Sequence, residues 1–263
     1  MRSLLNRRAL TLRTAELKKA PPLDRTTQKL FTLLVTEFDA AFQAALGQSG
    51  LLEAQAWRRD AEGFDLRLRV QAFTRAFRRI LFASQAVQRG LAQVPIEIDN
   101  IDRNRIARMM KIAPESLPET GLATQWLRAR AQDLDRVATD TADRVEQILR
   151  KAPVGTPVSE IRSRLQTIQG INRARADNIA RSAVNNLNGE MESVRFLSLG
   201  ITEAKWRTVG DSDVRSEHAD LEGKVFTIGV GLLGGGYNGG VGEPNSAPRC
   251  RCFREPVIAG YND

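Results

Sequence analysis

GITEAKWRTV, residues 200–209, marks the point at which the sequence changes from helical to strand patterning. Before Gly200, apolar residues recur every three or four positions, which predicts helices. After it, short stretches rich in apolar and β-branched residues predict strands at 201–209, 224–228 and 250–258. We therefore expect an α+β fold, with a largely α-helical N-terminal region and a small mixed α+β C-terminal domain.

The helical part divides into several segments. Apolar residues at helical spacing predict helices within 30–45, 57–91, 119–151 and 172–199, and a short one that ends at Gly170. FDLRLRV (64–70) alternates as a strand would, but the longer pattern around it favours a helix. Pro95, Pro114 and Pro118 bracket a less regular stretch. We expect a basic arm at 1–22, a helical region at 23–152 and, after a Pro- and Gly-containing linker, the C-terminal domain at 157–263.

Glycine is concentrated near the end of the chain. Eight of the twenty glycines lie within residues 229–242. A phosphate-binding loop would be followed by a Gly-Lys-Ser/Thr motif and a helix, and neither is present in the sequence pattern. The run is therefore interpreted as a flexible surface loop that orders against a partner.

Composition and charge narrow the function class. The chain has 263 residues, 42% hydrophobic residues and a formal net charge of +8 that comes mainly from arginine. Arginine pairs with phosphate in bidentate fashion, so this charge favours contact with a polyanion such as double-stranded DNA. No uninterrupted apolar run approaches the roughly 20 residues of a membrane span, and we expect no membrane contact. Two closely spaced cysteines cannot form a disulfide framework.

The first twenty residues are strongly basic. They contain one acid, Glu16, and six basic side chains, which are candidate nucleic-acid contacts: Arg2, Arg7, Arg8, Arg13, Lys18 and Lys19. The pattern is typical of an arm that binds DNA or an acidic protein surface. A solvated terminus and an organellar transit peptide are the alternatives.

Three residues carry the candidate chemistry. In a strand, Cys250 and Cys252 project from the same face, and an extended backbone makes a disulfide between them awkward. With His218 they offer three ligands that suit zinc, and Asp211, Asp213 or water could be the fourth. Cys-x-Cys is tighter than the usual zinc spacing, and the alternative is a pair of buried cysteines beside a hydrogen-bonded histidine.

Enzyme chemistry on these residues is a second hypothesis. A zinc deaminase needs His-x-Glu and Pro-Cys-x-x-Cys, whereas this chain has His218-Ala219-Asp220 and a Cys-x-Cys. A Cys–His nucleophile pair meets no such objection, and neighbouring arginines would lower a thiol pKa. A metal- or thiol-dependent enzyme acting on nucleic acid therefore remains an alternative.

A larger pattern surrounds these residues. WRTVGDSDVRSEHADLEGKVF (206–226), followed by Pro248 and CRC (250–252), resembles the C-terminal signature of the Mu-F-like minor head proteins of tailed phages, also called phage head morphogenesis proteins. The resemblance covers about residues 157–257 and rests on Trp206, Asp211, Asp213, Arg215, His218, Leu221, Gly223, Pro248, Cys250 and Cys252. The preceding helix (173–186) is also similar, but Ala180-Arg181-Ser182-Ala183 stands where the family commonly has Ala-Arg-Thr-Glu.

The resemblance implies a structural role without enzymatic activity. It implies a virion protein located inside the head near the portal and made in the host cytoplasm. Its partners would be the portal protein, the major capsid protein or both, and packaged double-stranded DNA bound without sequence specificity. It would act in head morphogenesis or DNA delivery, with zinc, if bound, stabilising the small domain. A sequence-independent DNA-binding packaging factor is a third hypothesis.

Overall fold

A computed structural model describes residues 21–52, 66–153 and 156–258. Helices dominate the described part before residue 200. Their bounds are α1 Asp24–Ser49, α2 Leu66–Ala83, α3 Gln85–Met110, α4 Ala123–Lys151 and α5 Val158–Ser198, and a short helix α6 follows at Ser216–Ala219. A 3₁₀ turn at Pro114–Ser116 lies between α3 and α4.

The strands all follow α5. They are β1 Glu203–Arg207, β2 Val225–Thr227, β3 Leu232–Leu233, β4 Val241–Gly242 and β5 Phe253–Pro256. Strands β2, β1 and β5 form an antiparallel sheet in that order, and β3 pairs with β4 in a separate hairpin. In the central strand, Ala204 lies opposite both Phe226 and Pro256. The predicted α+β fold is confirmed.

The helix boundaries differ from the prediction around Pro95. Helix α3 continues through this proline to Met110, so the expectation of a less regular stretch was wrong for residues 95–110. Buried Leu91, Val94 and Ile98 form one apolar stripe on both sides of the proline, and their burial offsets the lost hydrogen bond. The break falls instead at Ser84, whose hydroxyl accepts the Val87 N–H at 3.2 Å as an N-cap.

The predicted helix end at Gly170 is also wrong. Helix α5 runs without interruption for 41 residues. Ile161, Leu165, Ile168 and Ala176 are all buried, so the apolar stripe continues past the glycine. A mid-helix glycine costs only about 1 kcal/mol relative to alanine, and the burial of this stripe outweighs that cost.

The Gly-rich run is an ordered hairpin rather than a flexible loop. Leu232 pairs with Gly242 and Leu233 with Val241. The tip is closed by a hydrogen bond from the Gly236 N–H to the Gly240 oxygen at 2.8 Å. This prediction failed because each paired strand is only two residues long, which is too short to show an alternating apolar pattern.

The described residues form two compact units. The helical unit consists of residues 28–52, 66–92 and 127–180 without 154–155, and the mixed unit of residues 21–27, 93–126 and 181–258. The helical unit has an aromatic core in which the Phe73 ring lies 5.7 Å from that of Phe42 and 5.8 Å from that of Phe77. The mixed unit contains the sheet, the hairpin and the candidate site.

Helix α1 is long and apolar enough in composition to cross a membrane. One face of the helix is nevertheless buried within the helical unit, where Leu30, Leu34, Phe38 and Phe42 are at most 1% exposed. An amphipathic core helix accounts for this pattern. The absence of membrane contact remains a prediction.

A group of ionised side chains, here the charge network, is buried inside the mixed unit. Arg195 pairs with Asp99 and Asp102, and Arg105 pairs with Glu192. Arg254 of β5 lies 3.6 Å from Glu192 and 2.5 Å from Glu243. Burial, together with the nearby negative charge of Glu192, raises the pKa of Asp102 to about 7, against the opposing effect of Arg195. The charge network therefore connects α3, α5 and the strand that follows the two cysteines.

Candidate functional site

Half of the ten signature residues form a small interior cluster of the mixed unit. Trp206, Leu221, Cys250 and Cys252 pack together with Ala247. His218 is 2% exposed, and its ring meets the Trp206 indole edge to face, with centroids 5.2 Å apart. Residues far apart in the sequence thus share one site.

Strand β1 and the turn after it position the aromatic side of the site. Trp206 lies in the central strand of the sheet, where it is fully buried. His218 lies on the single turn of α6. The chain returns to β1 at Gly223, which adopts φ +76° and donates its N–H to the Trp206 oxygen at 2.8 Å. A residue with a Cβ would be strained in this conformation, so the signature glycine fixes the turn.

The hairpin closes the opposite side of Trp206. A Cβ built on Gly235 would lie 2.7 Å from the indole ring and 2.5 Å from the Gly242 oxygen. Only a glycine allows the hairpin to approach the tryptophan this closely.

The two cysteines precede β5 rather than lie in it. The expected strand at 250–258 is shortened to Phe253–Pro256, although Cys250 and Cys252 still face the same way. Helix α5 holds their backbone: the Asn185 amide donates to the Cys250 oxygen at 2.9 Å. The Arg249 N–H donates to the Ser182 hydroxyl at 3.1 Å, and Arg249 has a left-handed φ of +58°. These long-range hydrogen bonds replace the ladder that a longer strand would have formed.

Both sulfur atoms face one histidine nitrogen. His218 Nδ1 lies 3.5 Å from Cys250 Sγ and 3.6 Å from Cys252 Sγ. The three possible ligand atoms all lie within 4.8 Å of one another, and both cysteines are free thiols. The other ring nitrogen, Nε2, is buried and has no hydrogen-bond partner among the described residues. Among the described residues, the two sulfur atoms are therefore the hydrogen-bond partners of Nδ1, and Nε2 is left unsatisfied.

The two thiols are electrostatically unequal. A hydrogen bond from the Cys252 thiol lowers the pKa of Cys250, and His218 and the Asn245 N–H add to this effect against the opposing effect of burial. The same interaction raises the pKa of Cys252, because it stabilises the thiol that donates. This hydrogen bond therefore favours ionisation of Cys250 over ionisation of Cys252.

An open cavity of about 310 Å³ adjoins the three residues. His218, Cys250 and Cys252 contribute to its wall, and four arginines line it with them: Arg181, Arg215, Arg249 and Arg251. Asp213 is the acidic residue of this lining. The cavity therefore offers an anion a positively charged path to the buried cluster.

The remaining predicted residues lie around this cavity. Asp211, the candidate fourth ligand, is outside the three-residue cluster, and its carboxylate pairs with Arg251 at 2.7 Å. Asp213 lies 3.4 Å from the same guanidinium. Arg215 donates to the Pro248 oxygen at 2.6 Å, which links the α6 turn to the cysteine segment. The basic side chains predicted to contact nucleic acid, Arg2 to Lys19, lie outside the described residues.

Sequence reasoning missed Ser182 and Asn185 as positioning residues. Both lie on α5, more than 60 positions before the cysteine segment they hold. The run Ala180–Ala183, which departs from the family pattern, lies on the same part of α5. No local sequence pattern, however, links this part of the helix to Cys250. A contact at this separation carries no periodic signal.

The arrangement defines a small α+β domain built around three buried metal-ligating side chains beside a cavity. Two thiolates and an imidazole can hold a zinc-like cation with one position left open. Without a metal, the same residues form a thiol pair next to a histidine.

Comparison with known proteins gives the family of this region. Residues 141–254 match the family described as Phage Mu protein F like protein. Over 178 residues the chain is 23% identical to an uncharacterised protein of Haemophilus influenzae, a match that covers 67% of this chain and 38% of that protein. The chain thus matches less than half the length of this relative. No solved structure matches the chain.

The family match confirms the resemblance drawn from the residues and identifies residues 141–254 as a Mu-F-like region. Both halves of the signature, Trp206–Phe226 and Pro248–Cys252, lie within the matched range.

Proposed function

We propose that the protein is a minor head protein of a tailed phage, located inside the head near the portal. It is made in the host cytoplasm, assembles with the portal protein, the major capsid protein or both, and acts in head morphogenesis or DNA delivery. The observation that carries this proposal is the family match over residues 141–254, which includes the whole Trp206–His218–cysteine cluster.

The charge of the chain supports a position next to packaged DNA. The formal net charge is +8, and arginine supplies most of the basic side chains. Such side chains neutralise phosphate without reading base sequence. The basic residues of the first twenty positions would add to this contact.

The β3–β4 hairpin supports a protein partner. Val230, Leu233, Tyr237 and Val241 are 63–75% exposed, an unusual group of apolar side chains on one short segment. Apolar side chains that project together into solvent are typical of interaction surfaces. We assign the hairpin to contact with the portal or capsid protein.

Quantitative peptide mass spectrometry on purified particles tests the proposal. A few copies per particle are expected, and a loss of these copies after triggered DNA release would assign the protein to DNA delivery. Complete absence from mature particles would overturn the proposal.

A matched pair of variants tests the hairpin. Leu233→Ser with Tyr237→Ser should lower the number of copies per particle. Leu68→Ser, which changes an exposed side chain in the helical unit, should leave that number unchanged. Equal incorporation of all three proteins would remove the hairpin from the partner surface.

The three-residue cluster beside a cavity favours one alternative, a metal- or thiol-dependent enzyme acting on nucleic acid. In that case His218→Ala would abolish turnover of DNA or RNA in a protein that still folds. Under the structural proposal, the same substitution lowers thermal stability or particle incorporation. A plain packaging factor would instead bind DNA in a strongly salt-dependent manner without the portal protein.

A further inference from the structure

We propose that His218, Cys250 and Cys252 bind one zinc ion, and that the fourth coordination position faces the arginine-lined cavity, where it takes water or an anion from outside the chain. The three residues are buried, and their ligand atoms lie within 4.8 Å of one another. This inference concerns the chemistry of the site and does not depend on the location of the protein in a virion.

The distances fit a tetrahedral ion. With Zn–S of about 2.3 Å and Zn–N of about 2.0–2.1 Å, tetrahedral angles place nitrogen and sulfur about 3.6 Å apart. The separations from His218 Nδ1 to the two Sγ atoms are 3.5 and 3.6 Å. Both nitrogen–sulfur separations thus match those that a bound ion would require.

Hydrogen bonding alone explains the arrangement poorly. One ring nitrogen offers a single lone pair or a single proton, yet two sulfur atoms lie 3.5 and 3.6 Å from it. Thiols are also weak hydrogen-bond partners, so their hydrogen bonds offset little of the free energy that burying a histidine costs. A cation shared by both sulfurs and Nδ1 satisfies all three groups at once.

The supporting shell around the site is already in place. The Asn185 amide and the Ser182 hydroxyl fix the backbone of the cysteine segment from α5. Trp206 contacts the imidazole edge to face and limits its rotation. Preorganised ligands lose little conformational entropy when the ion binds.

The fourth position is assigned by what lies beside the cluster. The Asp211 carboxylate forms an ion pair with Arg251, and Asp211 lies outside the three-residue group. Two thiolates neutralise the charge of Zn²⁺, so the surrounding arginines determine the sign of the local field. Their positive charge favours an anionic ligand such as a carboxylate entering through the cavity.

Metal content measures the first half of the proposal. The full-length protein, purified under reducing conditions with added zinc and then dialysed, should retain about one zinc per chain by elemental analysis. Loss of a ligand in Cys252→Ser or His218→Gln should weaken zinc binding more than about 100-fold. This exceeds the roughly 10–100-fold typical of changes to residues that only support the ligands. Asp211→Asn is the matched control and should bind zinc as the unchanged protein does.

A measurement on the unchanged protein guards against variants that fail to fold. Zinc should protect both thiols from a thiol reagent, chelation should expose them, and added zinc should restore protection. No zinc in the folded protein, or equal thiol reactivity with and without zinc, would overturn the metal site.

Cobalt substitution tests the open position. Co²⁺ in place of zinc should give a sulfur-to-metal charge-transfer band and the intense visible bands of a four-coordinate ion. Addition of acetate, a carboxylate probe, should shift the visible bands of the unchanged protein and of Asp211→Asn alike. If acetate leaves the visible bands unchanged and Asp211→Asn alters them, the proposal of an open fourth position is wrong. Asp211 would then be the fourth ligand.

Discussion

The two units bury different kinds of interior. The helical unit closes on aromatic and aliphatic side chains, with Phe42, Phe73 and Phe77 in ring contact. The mixed unit buries a charge network and the His218–cysteine cluster beside a smaller apolar core. An apolar interior tolerates many sequences of similar volume, whereas paired charges and shared ligands need particular residues in particular places. The difference locates the residue-specific features in the mixed unit.

The largest expected loss of stability comes from a substitution in the apolar core of the helical unit. Phe73 is fully buried between two other phenylalanines, so Phe73→Ala should lower the free energy of unfolding by about 3–5 kcal/mol. Phe82→Ala is the control, because this side chain is 37% exposed and should matter much less. Denaturant unfolding measures both, and similar losses would contradict an aromatic core centred on Phe73.

The next effect breaks the charge network. Arg195→Met leaves Asp99 and Asp102 without their shared cation and should cost about 3 kcal/mol. Arg164→Met removes an exposed ion pair with Glu160 and should cost less than about 0.5 kcal/mol. Thermal unfolding of the two variants separates a buried network from surface pairing; equal losses would show that burial of the charges is unimportant.

A pH titration sharpens the same contrast. The pKa of Asp102 is about 7 in the folded protein against an ordinary value of 3.8, so the folded state holds an extra proton between these limits. Protonation of Asp102 therefore stabilises the folded state. This stabilisation is complete below about pH 4 and is lost as the pH rises through about 7. Over this range the free energy of unfolding falls by up to about 1.4 kcal/mol per pH unit.

Asp102→Asn tests this assignment because the side chain no longer titrates. The stability of this variant should fall less steeply between pH 4 and 7 than that of the unchanged protein. Asp220→Asn, at an exposed position of the same unit, should keep the original slope. Identical slopes in all three proteins would remove Asp102 as the source.

The smallest effect compares two glycines on one helix. Nothing lies within 4 Å of a Cβ built on Gly170, so Gly170→Ala should raise stability by about 0.5–1 kcal/mol. A Cβ on Gly189 would lie 2.8 Å from Arg254 Nη1 and 3.2 Å from Asn245 Cβ, so Gly189→Ala should lower stability. Thermal melts of the two variants give opposite shifts if the close packing belongs to the mixed unit.

The sequence predicted the helices well where one face is continuously apolar. Helix α4 follows its pattern from Leu134 through Val145, and the alternating stretch at Leu66–Val70 is helical as the longer period indicated. Pro95 and Gly170 misled the prediction of boundaries because local propensity is weaker than the burial of a long stripe. The hairpin was missed because its two strands have only two residues each and lie within a glycine-rich run.

The sequence predicted the residues of the candidate site but not the residues that hold them in place. His218, Cys250 and Cys252 were chosen by ligand type, and the structure brings them within 4.8 Å of one another. Asp211 was predicted from its ligand type as well, yet its carboxylate forms an ion pair with Arg251, which lies between the two cysteines. Ser182 and Asn185 could not be predicted, because a hydrogen bond to a distant backbone leaves no mark on local spacing.

The position of β5 has a consequence for synthesis on the ribosome. This strand pairs with β1, and the segment just before it supplies both cysteines to the cluster around Trp206. Until Phe253–Pro256 have emerged from the exit tunnel, β1 lacks one neighbour and the tryptophan lacks its cover. Translation that pauses or stops early would leave an open strand edge and exposed apolar side chains for chaperones to shield. All residues of the helical unit lie before residue 181, so this unit can fold before β5 has been synthesised.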